Sequence, residues 1–155
     1  MKFLIDYSER IENKELFYNV EDASFDTEPS SLYINFDIVI NKINLTVVDD
    51  DNRIVQLWGV CGYNEWIKAN YNPPSSKIGI LKIVDNLKNG LAYRINHYDY
   101  PIYVNVNTGW ICIGTPEKKG NAVEFINNCI AVIDEKNEFV SLWLKPKIFS
   151  LIQFK

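Results

Sequence analysis

The chain has 155 residues, 47% hydrophobic and 14% aromatic, with 20 acidic and 16 basic side chains and a net charge of −4. That length suits one domain with its own core, and that composition excludes general disorder. Only 3 of the 16 cations are Arg and none form a tract, which disfavours nucleic-acid binding, because a phosphate-binding surface needs clustered cations.

Ile outnumbers Ala 20 to 5, and Asn occurs 18 times. β-Branched residues favour strands, Ala favours helices, and Asn favours turns and caps. A single domain over residues 1–155 is therefore expected to be mainly β. Its antiparallel sheet would be curled into a barrel or folded as a sandwich, with one or two short helices.

Residues 2–6 predict a short first strand. Ser8 offers an N-cap to a short helix over residues 9–20, with Ile11, Leu16, Phe17 and Val20 facing inward. Residues 21–31 (EDASFDTEPSS) read as an acidic loop. From Leu32, Ile34, Phe36, Ile38 and Ile40 alternate with Tyr33, Asn35, Asp37 and Val39, the period of a half-buried strand. Residues 43–48 and 53–61 predict a β-hairpin turned at Asp49-Asp50-Asp51-Asn52. Asn64 is placed to cap one or two helical turns containing Trp66 and Ile67, and residues 72–76 form a Pro-rich loop.

Residues 77–84 (KIGILKIV) are apolar on both faces, as in a central strand. Two strands follow over 91–97 and 101–107, separated by Tyr98-Asp99-Tyr100, and another over 110–114. Residues 122–134 form a long apolar segment with a bulge or bend at Asn127-Asn128, then a turn and a strand over 139–145. A last strand is expected over 148–154. The total is nine or ten strands. No helical segment is long enough to supply repeated βαβ crossovers.

Chemistry-bearing motifs are few. His97 is the single histidine, and no GxSxG elbow accompanies it. Cys61, Cys112 and Cys129 form no CxxC pair, and each sits in an apolar run, so buried free thiols are expected rather than a zinc site. Asp49, Asp50 and Asp51 do not follow the alternating ligand pattern of an EF-hand. The glycines fit neither GxGxxG nor GxxxxGK[ST]. No catalytic residue, metal or cofactor is expected. The N-terminal apolar run ends at Asp6, too short for a signal peptide, and a cytoplasmic location is expected.

Charge is uneven along the chain. Residues 1–51 hold 12 acidic and 4 basic side chains, and residues 52–155 hold 8 acidic and 12 basic. The segment from Tyr93 to Tyr103 holds four Tyr, one Arg and one His. Tyr, Trp and Arg are enriched at interface hot spots. An acidic half also attracts a basic partner. The candidate partner-binding residues are therefore Asp49, Asp50, Asp51, Tyr98, Asp99 and Tyr100.

Residues 129–146 run Cys-Ile-Ala-Val-Ile-Asp-Glu-Lys-Asn-Glu-Phe-Val-Ser-Leu-Trp-Leu-Lys-Pro. They resemble the closing hairpin of small bacterial immunity proteins. Those are cytosolic inhibitors that neutralise a cognate polymorphic toxin, often a nuclease, by binding it. The resemblance covers 18 of 155 residues and matches no binding residue. It implies a non-enzymatic inhibitor of a basic toxin domain. An alternative is a small-ligand-binding barrel or sandwich with Trp58, Trp66 and Trp110 lining an apolar pocket. A second alternative is an enzyme with an unrecognised carboxylate pair, Glu65 and Glu124 being the least ordinary acids.

Overall fold

The computed structural model describes residues 1–31, 36–48, 51–85, 87 and 90–148. In chain order the strands are β1 Phe3–Tyr7, β2 Glu15–Asn19, β3 Ser24–Glu28, β4 Phe36–Ile40, β5 Ile43–Val47 and β6 Ile54–Val60. These are followed by β7 Ile67–Lys68, β8 Lys77–Ile83, β9 Ala92–Arg94, β10 Ile102–Val104 and β11 Ile111–Gly114. The last four are β12 Asn121–Ile126, β13 Cys129–Ile133, β14 Phe139–Leu144 and β15 Lys147–Ile148. A 3-10 turn at Tyr63–Glu65 is the one helical element among the described residues.

The strands form two open sheets. The first has the order β1-β8-β12-β13-β14-β11-β10-β7, and the second β15-β2-β3-β6-β5-β4-β9. Pairing is antiparallel except at β7–β10, β8–β12, β2–β15 and β4–β9. Neither sheet closes on itself, so the mainly β expectation resolves to a sandwich. Its inner faces meet in one core that includes Phe3, Leu81, Phe125 and Leu142 from the first sheet and Tyr18, Phe25, Ile38 and Leu57 from the second. Each fully buried Ile, Leu or Phe of that kind stabilises the fold by roughly 1.5–3 kcal/mol.

Period-two alternation decides the second sheet. In β4, Phe36, Ile38 and Ile40 are buried while Asp37 and Val39 are half-exposed. The β5–β6 hairpin forms as expected, with Leu45 opposite Leu57. β8 is flanked by β1 and β12, as a central strand should be. Residues 32–35 of the predicted strand, like Asp49 and Asp50, lie outside the described residues.

Several expectations are corrected. Residues 9–20 are not helical. Ser8 accepts a hydrogen bond from the Arg10 backbone N–H (3.1 Å), but only a bend follows, and Leu16 and Tyr18 point inward from β2. Burying Leu16 and Tyr18 two residues apart demands a strand. The acidic loop over 21–31 contains β3, whose Phe25 and Thr27 face the core while Asp26 and Glu28 face out. Asn64 caps no helix; Gly62 precedes the 3-10 turn, and Ile67 begins β7. Asn127-Asn128 is the two-residue turn of a β12–β13 hairpin, with Asn128 at φ +65°, and the bulge lies between Glu124 and Ile126. β9 and β10 do not face each other, because β9 joins β4 in the second sheet and β10 joins β11 in the first. The intervening residues thus cross between sheets. Among the described residues, fifteen short strands replace the nine or ten expected. Of the final strand expected over 148–154, only Ile148, the end of β15, lies among the described residues.

Cys61, Cys112 and Cys129 are buried free thiols. Burial raises the Cys61 pKa to about 11 and the Cys112 pKa to about 12, and it raises those of Cys129 and the Tyr18 hydroxyl as well. Tyr18 is fully buried and donates to the Cys61 carbonyl at 2.6 Å. Above the ordinary thiol value of 9.0 the unfolded chain loses these protons while the folded chain keeps them. Folding stability is then whole below pH 9 and falls as pH rises toward 12. Urea midpoints should be flat from pH 7 to about 8.5 and decline steadily from about pH 9 to 11. A midpoint unchanged at pH 11 would contradict this.

Candidate functional site

The candidate partner-binding residues separate into two places. Asp51 follows β5 at one end, where it pairs with Arg53 (3.5 Å) and Lys82 (3.8 Å). Arg53 also pairs with Glu12 at 3.2 Å. The Asp51 charge is therefore committed to joining β6 of the second sheet to β8 of the first. Tyr98, Asp99 and Tyr100 lie at the other end of β5, beside the β4–β5 turn, where Asn41 and Tyr100 meet. Five residues of strand, about 16 Å, lie between.

The crossing segment is anchored by its own polar side chains. The Arg94 guanidinium donates to Asp99 Oδ1 (2.9 Å), to the Asn41 carbonyl (3.0 Å) and to the Asn96 carbonyl (3.1 Å). Asn41 closes a reciprocal pair with the Tyr100 backbone, at 3.0 and 2.8 Å. Asn96 Nδ2 donates to the Tyr100 hydroxyl. The Tyr100 ring packs on Phe139, and burial raises its hydroxyl pKa. Tyr100 is an anchor, whereas Tyr98 is 65% exposed. His97 is exposed in the same segment.

Beside this loop lies the outward face of β3, β6 and β5. Gln56, Trp58 and Val60 alternate outward from β6, and Trp58 and Val60 remain 41% and 50% exposed. The Trp58 indole N–H donates to Thr46 Oγ1 (2.9 Å), and the Thr46 hydroxyl donates to Asp37 Oδ1 (2.7 Å). That relay ties the ring to β5 and β4. The Ser24–Val60 and Phe25–Gly59 pairing sets Asp26 level with Trp58. Asp26, Trp58, Val60 and Lys42 line a shallow depression of about 540 Å³. Val60 and Lys42 also line a second depression, of about 210 Å³, with Asp99 and Glu65. Trp58, Val60 and Asp99 thus belong to one continuous surface, and exposed Tyr98 is the chain neighbour of Asp99. Its carboxylates are Asp26, Asp37, Glu65 and Asp99. Its cations are Lys42 and Arg94, the latter engaged by Asp99.

The alternative of an apolar pocket lined by Trp58, Trp66 and Trp110 does not match their positions. The three do not share a cavity. Trp66 is in the core against Tyr18 and Phe25, and Trp110 is on the outer face of the first sheet, 6.0 Å from the Lys145 ammonium. Glu124 accepts the Asn128 backbone N–H at 2.8 Å, and Glu65 is exposed in the 3-10 turn. Asp26 and Val60 were not singled out at all. Their signal was available in the phase of Ser24-Phe25-Asp26-Thr27-Glu28 and Gln56-Leu57-Trp58-Gly59-Val60.

No family model matches the chain, and no curated protein matches its sequence. The segment resembling immunity proteins forms the β13–β14 hairpin, where Cys129 pairs with Leu144 and Ala131 with Leu142. Its strands lie mid-sheet and are buried on both faces, while turn residues 135–138 are exposed. Among the described residues, no group of three or more His, Cys, Asp or Glu is placed to hold a metal ion. Among the same residues, no helix is long and apolar enough to cross a membrane.

Proposed function

We propose that the chain is a protein-binding inhibitor of the immunity type. It docks a basic partner, a toxin domain such as a nuclease, against the outward face of the second sheet and occludes the partner's active site. The observation that carries this reading is Trp58, a large aromatic side chain 41% exposed yet pinned through Thr46 to Asp37, level with Asp26. A rigid exposed indole loses little conformational entropy on docking and anchors interfaces well. Carboxylates around it speed encounter with a basic surface and set partner choice. Asp99 and Tyr98 extend the same surface, and the hairpin over 129–146 supports the immunity type by resemblance.

Co-expression with the product of the adjacent gene tests the reading. The expected result is a co-purifying complex and protection of the host cell from that product. Absence of both complex and protection would remove it.

A further inference from the structure

The outer face of the first sheet is built from two rows of unequal size. Tyr103, Cys112, Trp143 and Ile130 lie opposite one another across β10, β11, β14 and β13. The next row is Gly114, Ser141, Val132 and Ala122. Gly114 admits nothing larger, since a Cβ there would lie 2.5 Å from the Val140 carbonyl oxygen, at φ +127°. Tyr71 packs against the large row. The Tyr71 ring meets the Tyr103 ring edge-on at 5.2 Å, and Asn105 Nδ2 donates to the Tyr71 carbonyl at 3.1 Å. Over the small row a cleft of about 440 Å³ remains, between Pro74 and Ser75 on one side and residues 116–120 on the other. Val132, Ser141 and Trp143 line its base.

The polar groups of this cleft are unevenly committed. Ser141 is 1% exposed, and its oxygen accepts the Trp143 indole N–H at 3.0 Å. Its own O–H has no acceptor among the described residues. Three charged groups face the cleft, namely Glu117, Lys118 and Lys119. Glu117 lies close enough to the Tyr71 hydroxyl for its charge to raise that group's pKa, and Lys118 pairs with Asp134 at 3.3 Å. Lys119 has no ion-pair partner among the described residues. What is left over is a buried O–H donor and an ammonium group, with walls of Pro74, Pro116, Val132 and Trp143. A buried donor without an acceptor is costly, and a ligand oxygen that meets it recovers that cost.

We propose that this cleft binds a small apolar monocarboxylate, its apolar body against Trp143 and Val132 and its oxygens toward Ser141 and Lys119. The volume lies within the usual range of small-molecule sites. The site is on the opposite sheet from the proposed docking surface, so it stands or falls independently of that reading.

The test is NMR titration of the full chain with phenylacetate and hexanoate, with phenylacetamide and phenethylamine as neutral and cationic controls. Saturable shifts of the Trp143 indole N–H and the Ser141 amide by a carboxylate are expected. Phenylacetamide and phenethylamine should bind about tenfold more weakly or not at all, because a charge-assisted hydrogen bond is lost. Lys119→Gln, an exposed substitution that leaves the fold intact, should weaken phenylacetate binding about fivefold or more. Trp58→Ala should leave it unchanged. Equal binding of acid, amide and amine, an indifferent Lys119→Gln, or no shift with either carboxylate would overturn the proposal.

Discussion

Trp58→Ala is expected to weaken capture of the basic partner about 30- to 1,000-fold, the 2–4 kcal/mol typical of a central aromatic hot spot. The same change should cost the fold about 1 kcal/mol or less, because the ring is 41% exposed and makes one hydrogen bond, to Thr46. The separation of the two effects is the point of the experiment. Surface plasmon resonance against the co-purified partner measures the first, and a urea melt the second. Asp26→Asn should act differently, slowing association and flattening its dependence on salt while leaving dissociation nearly unchanged. Wild-type affinity in Trp58→Ala would place the interface elsewhere.

Gly59→Ala is expected to have the largest effect on folding among conservative changes in the second sheet. Gly59 faces inward between Phe25 and Ile43 at φ +142°. A Cβ there would sit 2.3 Å from the Lys42 carbonyl oxygen and 3.0 Å from the Ile43 Cα. Both obstacles are backbone, so neither yields by rotamer change. Strain at such a φ and overpacking together should remove about 2–5 kcal/mol of stability. Gly90→Ala is the control. It has φ +76° but nothing within 4 Å of a Cβ, so only about 1 kcal/mol should be lost. Equal urea midpoints for the two variants would show that the close approach is not what Gly59 accommodates. Because Lys42 and Val60 join the two depressions of the docking surface, Gly59→Ala should also impair partner binding.

Much of the second sheet was readable where both faces of a strand are distinct. Asp37 and Val39 face out from β4 and Ile38 faces in, as the alternation requires. The same rule holds in β2 and β3, where the phase of Leu16, Tyr18, Phe25 and Thr27 outweighs the cap offered by Ser8 and the dense run of acids. Acidic side chains do not oppose a strand when they occupy its solvent face, and Asp26 and Glu28 do so.

The docking surface was half readable. Tyr98 and Asp99 came from local composition, since a turn between apolar runs exposes its side chains. Tyr100 did not behave alike, because Asn41 and Phe139 capture it from two distant segments and Asn96 from its own. Asp51 looked like free charge until Arg53 and Lys82 were placed beside it. Trp58 shares the phase of Gln56, which points it outward, but the β5–β6 register shifts at Thr46/Val47 and breaks simple counting from Ile54.

The amino-acid sequence by itself determined that this protein is a β-rich chain with buried thiols and an acidic N-terminal third. Those properties are local or additive; they depend on residue type, period and count. The tertiary structure alone decided the partition into two sheets, because strand order depends on non-local pairing. β9 and β10, adjacent in sequence, were sent to different sheets by β4 partners 55 positions away and β11 partners 7 to 11 positions away respectively, pairs such as Asp37–Ala92, Ile38–Tyr93 and Tyr103–Cys112. The tertiary structure likewise decided which aromatic side chain stayed in solvent. Trp66 and Trp143 found aromatic or apolar cover from distant strands, while Trp58 was held at the surface by Thr46 and Asp37.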